Sequence, residues 1–295
     1  MIRNLSPKKI FIFLFFLLFS SLTDITAQPD ESTVLKLWYD KPATVWTEAL
    51  PIGNGSLGGM IFGGIEQERI QLNEETIWTH GDDYKVKPEA YEYIGKVRAL
   101  LFDNKFAEAE ALAQEHILTP RMPSGTNTYQ TLGDLTIRFE HTEKVKNYRR
   151  ILDLQTAIAK IEYTTDEATY TRTFFSSFPD KVMVFRLSAS LPEKVSANIL
   201  LSRPGDRAEI TTHEDFIEMQ EIVGDTGGVK MYTLARILAP NGEMIPLHEG
   251  FSISGADEIL ILITAASDYR GKNPENVCRG RLENLKNTSY EQLYH

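Results

Sequence analysis

Cysteine occurs once in the 295 residues, at Cys278, so the chain cannot close a disulfide on itself. Metal-ligating patterns are also scarce. The six histidines are scattered, with no His-x-His or His-Glu-x-x-His spacing, so no zinc site is written and no metal is expected. A Gly-Lys-Ser/Thr triplet is missing, which excludes a phosphate-cradling P-loop, and no cofactor is expected. Basic residues are in the minority. Lys plus Arg number 31 against 41 Asp plus Glu, a net charge of -10 that would repel phosphate backbones and anionic headgroups. Nucleic acid is therefore not an expected partner. What is present is 42% hydrophobic, 24% charged and 10% aromatic residues, enough for a sizeable core in one large domain or two small ones.

A long apolar run occurs once, at residues 10–22, preceded by Arg3, Lys8 and Lys9 and followed by Ala27 as the small residue at a cut. That order predicts a signal peptide over 1–27. Thirteen residues cover only about 20 Å of a hydrocarbon core of about 30 Å, so a membrane span fits less well. No cysteine follows the run to accept a lipid. The expectation is export to the periplasm or the medium, with no stable membrane insertion after cleavage.

From Leu132 onward, short runs alternate between apolar and polar residues, the period of half-buried antiparallel strands. Leu135, Ile137 and Phe139 share one face, and residues 157–164, 168–176, 182–189, 195–201, 230–238 and 258–265 read the same way. So many strands without helices between them predict a mostly β fold, a large antiparallel β-sandwich. A helical insertion interrupts it around 89–118. There Ala90, Ile94, Val97 and Leu101, then Phe106, Ala109 and Leu112, recur at helical steps, with Asp103-Asn104 as a break and Pro120 as a stop. Its apolar stripe is expected to pack against a sheet. Near the end, Thr288 with Glu291 and Ser289 with Gln292 form two overlapping capping boxes, which predict a helix start. The organisation expected is a signal peptide (1–27), a β-sandwich (28–286) and the start of a linker helix (287–295).

Few motifs carry chemistry. Gly53-Asn54-Gly55-Ser56-Leu57-Gly58 matches the dinucleotide fingerprint letter for letter, yet residues 59–64 continue as strand rather than helix, so a Gly-rich hairpin is expected instead. Glu74 and Glu75 are adjacent carboxylates. Neighbours on a strand point to opposite faces and cannot flank one glycosidic bond at ~5 to 9.5 Å. Asn73 and Glu74 beside the aromatic Trp78 would suit sugar hydroxyls and ring stacking, or equally a loop anchor. Asn54-Gly-Ser and Asn287-Thr-Ser are glycosylation sequons by pattern.

Several runs in order resemble the N-terminal domain of glycoside hydrolase family 95. They are Leu37-Trp38-Tyr39-Asp40-Lys41-Pro42-Ala43, Ala49-Leu50-Pro51-Ile52-Gly53-Asn54-Gly55 and Gln71-Leu72-Asn73-Glu74-Glu75-Thr76-Ile77-Trp78. Tyr129-Gln130-Thr131-Leu132-Gly133-Asp134-Leu135, Tyr148-Arg149-Arg150-Ile151-Leu152-Asp153-Leu154 and Tyr170-Thr171-Arg172-Thr173-Phe174-Phe175-Ser176 continue the series. The resemblance implies an α-L-fucosidase type of hydrolase, a β-sandwich followed by a helical linker and an (α/α)6 barrel, and an inverting mechanism whose catalytic residues lie in the barrel. It therefore assigns no catalytic residue here, and glycan substrate would be met through that barrel. Asn73, Glu74 and Trp78 are expected to be substrate-binding or to face the barrel. One departure is Trp78-Thr79-His80-Gly81-Asp82-Asp83, where many relatives have a Gly-Pro-containing loop. Alternative readings are a freestanding carbohydrate-binding module and a relative with α-L-galactosidase specificity.

Overall fold

The computed structural model describes residues 35–79, 87–118, 128–140, 144–205, 207–224 and 228–295. The expected signal peptide, residues 80–83 of the loop after Thr79, and Pro120 lie outside them.

The early strands are β1 (Lys36–Tyr39), β2 (Leu50–Gly53), β3 (Leu57–Ile61), β4 (Gln67–Glu74), β5 (Gly133–Phe139) and β6 (Lys146–Asp153). Next come β7 (Ile158–Thr164), β8 (Thr169–Ser177), β9 (Val182–Ala189), β10 (Val195–Ser202) and β11 (Glu209–His213). The last are β12 (Phe216–Ile222), β13 (Lys230–Leu238), β14 (Glu243–Leu247), β15 (Gly250–Ala256) and β16 (Glu258–Ser267). They form a nine-stranded sheet, β1-β6-β7-β8-β9-β16-β13-β12-β11, and a seven-stranded sheet, β14-β15-β10-β5-β4-β3-β2. The fold is the expected antiparallel sandwich.

Alternation explains the packing. In β4, Ile70 and Leu72 are buried while Arg69, Gln71 and Asn73 on the other face are half-buried, so this strand is apolar on one side only. In β16 every residue from Ile259 to Ser267 is buried. Ile259, Ile261 and Ile263 belong to the core between the sheets, and Leu260 and Leu262 to a second apolar cluster on the outer face. A strand buried on both faces reads as a continuous apolar run and needs a cover. The cover is α3 (Pro274–Asn284), a helix that the periodicity did not predict, followed by α4 (Tyr290–Tyr294). Asn273 caps α3 by accepting from the Asn276 N–H at 2.9 Å, with Pro274 in the first turn. At α4 the Ser289–Gln292 capping box is formed, while Thr288 precedes the cap. Tyr290 and Tyr294 set their rings edge-on to Phe175 of β8, at 6.0 and 5.7 Å.

The helical insertion is a hairpin of α1 (Ala90–Phe102) and α2 (Phe106–His116), broken at Asp103-Asn104 as expected, with Asn104 at φ 60°. The expected packing of its stripe against a sheet is corrected. Ala90 and Ala109 are its buried residues, while Ile94, Leu101 and Phe106 are exposed. The physical reason is that α1 and α2 pack on each other, a partner that helical periodicity cannot distinguish from a sheet.

The Gly-rich motif is a β-hairpin, with Gly53 opposite Gly58 and Ile52 opposite Gly59. A side chain at Gly59 would put its Cβ 2.6 Å from Met183 Cε of the facing sheet, so glycine lets the sheets approach here. Across the same interior lies a buried ion pair. Arg172 of β8 donates to Tyr163 Oη at 2.8 Å and to the Ile65 carbonyl at 3.0 Å, and its Nη1 is 3.3 Å from Glu68 Oε2. Glu68 also accepts from the Gly63 N–H at 2.7 Å. Burial pushes the Glu68 carboxyl up to about 7, with Arg172 pulling against it.

Candidate functional site

The polar-aromatic cluster lies where β4 runs out. Alternation sends Asn73 to the outer face of the seven-stranded sheet, opposite Gly58, and Glu74 inward, opposite Leu57. Trp78 lies past the turn and is partly exposed. The three side chains therefore do not converge on one point.

Glu74 is bound to its own turn. Its Oε2 accepts from the Thr76 N–H at 2.9 Å and the Thr76 hydroxyl at 2.6 Å. That hydroxyl is 2.5 Å from Ser267 Oγ at the end of β16, so the contact ties the two sheets together. Burial raises the Glu74 carboxyl, and the Thr76 hydrogen bonds oppose the shift. A raised carboxyl is a common mark of a general acid, yet here the oxygen is enclosed by Thr76. Glu75 points the other way, to a charge-assisted bond from Arg270 at 2.7 Å. The adjacent pair is thus divided between two structural ties.

The aromatic part is more open. Trp78 and Tyr129 form an isolated β-bridge, with rings 5.3 Å apart at 60°. The indole N–H donates to the Glu75 carbonyl at 3.2 Å, and the Tyr129 hydroxyl donates to the Glu74 carbonyl at 3.1 Å. Both polar handles are used to hold the rings, which leaves exposed ring surface suited to a sugar face or a docked domain. Sequence reasoning missed the roles of Tyr129, Ser267 and Arg270. Tyr129 lies within one of the motif runs, but only the bridge to Trp78 gives it a role, and that pairing spans 51 residues. Asn54, the first sequon, is buried and spends its side-chain amide on the Ser177 carbonyl at 2.8 Å, so the folded chain offers no glycosylation acceptor there. Among the described residues, no group of three or more His, Cys, Asp or Glu could hold a metal ion. No helix among them is long and apolar enough to cross a membrane.

Fold and site together define a large antiparallel β-sandwich domain with a braced polar-aromatic cluster at one strand end. The chain belongs to the family described as "Glycosyl hydrolase family 65, N-terminal domain", whose model matches residues 37–272. It is 30% identical to "Alpha-L-fucosidase 2" of Arabidopsis thaliana over 90% of this chain and 35% of that protein. It is 34% identical to "Probable alpha-fucosidase A" of Aspergillus niger over 53% of this chain and 20% of that protein. For the Aspergillus oryzae protein of the same name the identity is 26%, over 81% and 34%. The chain thus spans about a third or less of the length of these curated relatives. Their names agree with the fucosidase-like resemblance carried by the motifs.

Proposed function

We propose that the chain is the N-terminal β-sandwich of an exported glycoside hydrolase that removes terminal α-L-fucosyl residues from glycans with inversion. The observation that best supports this is the 30% identity to "Alpha-L-fucosidase 2" along 90% of the chain. In an inverting reaction one carboxyl protonates the leaving oxygen while a second group activates water on the opposite face of the sugar. Glu74 and Glu75 do not offer such a pair, since one is enclosed by Thr76 and the other is held by Arg270. In this reading a barrel of the kind the resemblance implies supplies the catalytic groups and meets the glycan. The sandwich supports it, presenting Asn73 and Trp78 toward it, and the chain alone turns over no fucoside. Export places the product in the periplasm or the medium.

Two measurements test this reading. The 295-residue chain, assayed with 4-nitrophenyl α-L-fucoside and 2′-fucosyllactose, should release nothing above the blank. Turnover that disappears in Glu74→Gln overturns the division of labour. Antibody against the chain should capture α-L-fucosidase activity from the source cells, with β-L-fucose as the first product by proton NMR. A precipitate rich in the chain and empty of that activity overturns the fucosidase assignment.

A further inference from the structure

A groove of about 580 Å³ opens on the outer face of the nine-stranded sheet, between helix α3 and the turn joining β11 to β12. Its size falls within the ~300–1,000 Å³ of small-molecule sites. Phe216 supplies its accessible apolar surface, with the buried Leu234 and Leu282 beneath it. Two ion pairs border it. Arg236 Nε donates to Asp215 Oδ2 at 2.7 Å on the sheet side, and Lys286 Nζ lies 3.4 Å from Glu283 Oε1 on the helix side. Arg279 also lines it, bonded to Glu275 at 2.9 Å and to Glu218 at 2.7 Å.

The lining charges balance, three carboxylates (Glu214, Asp215, Glu283) against three cations (Arg236, Arg279, Lys286). A net anion or cation therefore gains little there. Carboxylates only accept and guanidinium or ammonium groups only donate, whereas a hydroxyl does both. Adjacent hydroxyls of a sugar can thus engage either ion pair while the ring's C–H face meets Phe216.

Gly280 gives a second, independent indication. It stands inside α3, where glycine costs roughly 0.5–1 kcal/mol relative to alanine. No heavy atom lies within 4 Å of where its Cβ would be, so close packing does not require glycine. It lines the groove, and a large side chain there would project into that space.

We propose that this groove binds one or two neutral pyranose rings of a glycan. The inference goes beyond the proposed hydrolysis and stands on the groove's own chemistry.

The test is a titration of the ¹⁵N-labelled full chain with L-fucose, D-galactose, D-glucose, D-xylose and 2′-fucosyllactose, each to about 50 mM, with inorganic phosphate as the anionic control. At least one sugar should shift the amides of Phe216, Arg236 and Leu282 saturably, with a Kd in the millimolar range. Gly280→Phe should weaken that binding at least about tenfold, and Gly280→Ala should leave it within about threefold. Should Gly280→Phe fail to fold, the exposed pair replaced together, Glu283→Ala with Lys286→Ala, must weaken binding by at least about threefold. The proposal is overturned if no sugar shifts these amides, if phosphate alone does, or if the blocked groove binds as well as the open one.

Discussion

Helix α3 and the α1–α2 hairpin are both short helical segments attached to the same sandwich, yet they treat their apolar residues in opposite ways. Helix α3 buries Pro274, Cys278 and Leu282, and Cys278 Sγ reaches the Tyr232 carbonyl at 3.5 Å. The hairpin buries two alanines and leaves Phe102 80% and Tyr91 72% exposed. Apolar content therefore does not decide which helix docks. What distinguishes α3 is the surface beneath it, where β13 and β16 turn Leu234 and Leu262 outward. The outer face of the seven-stranded sheet is polar instead, carrying the Arg69–Asp134 ion pair at 3.0 Å.

The largest effect should come from breaking the docked side of this contrast. Leu282→Ala removes a side chain that is 3% exposed and leaves a cavity against the sheet, which costs about 3 kcal/mol. Urea unfolding measures this. A loss below about 1 kcal/mol would mean that α3 contributes no more than an exposed helix does.

The space between the sheets differs from the layer under α3 in holding a buried ion pair, and pH can expose that difference. With the Glu68 carboxyl pushed from 4.5 up to about 7, the folded chain keeps a proton that the unfolded chain has released. Stability from this group is then greatest below pH 4.5, falls as pH rises to about 7, and is level above it. Between about pH 5 and about pH 7.5 the fall should be of order 2 kcal/mol. Unfolding free energies of wild type and Glu68→Gln, compared between about pH 5 and about pH 7.5, should diverge with that sign. Parallel curves would place the charge on Glu68 in both states throughout.

Much of the sandwich was legible because apolar alternation reports burial directly. Strands β9 and β13 occupy the expected residues 182–189 and 230–238. Strand β6 escapes the alternation, and its sequence shows why. Arg150 takes an inward position, where it donates to the Lys41 and Glu48 carbonyls at 2.8 and 2.6 Å and stacks 4.1 Å over Tyr39. A charge at an apolar position hides the period, and its partners are about a hundred residues away. Edge strand β14 is masked differently, since it is mostly exposed and carries Pro246. Helix α3 leaves a trace in β16, whose burial on both faces simple alternation does not account for. The candidate cluster was legible as residue types only. That Glu74 turns inward to Thr76 while Trp78 meets Tyr129 depends on where the strand ends.

A smaller effect is expected at the C-terminal edge of the docked layer. Ser289→Ala removes the cap of α4, worth about 1 kcal/mol or less. The amides of Leu293 and His295, bonded to the Ser289 and Glu291 carbonyls at 3.2 Å, should exchange up to roughly fivefold faster. Unchanged exchange would show that Leu293 and the Tyr290–Phe175 contact hold this turn without its cap.

The smallest effect should fall on the hairpin. At helical spacing Tyr91, Ile94, Leu101 and Phe102 lie within one stripe of α1, and all four are exposed. An aromatic ring in water gives up almost no burial when it is removed, and alanine has the higher helix propensity. Phe102→Ala should therefore leave stability within about 0.5 kcal/mol of wild type, in contrast to Leu282→Ala under α3. Thermal melts of the two variants side by side make the comparison. If Phe102→Ala costs more than about 1 kcal/mol, the ring is covered in solution and the hairpin has a partner, as α3 does.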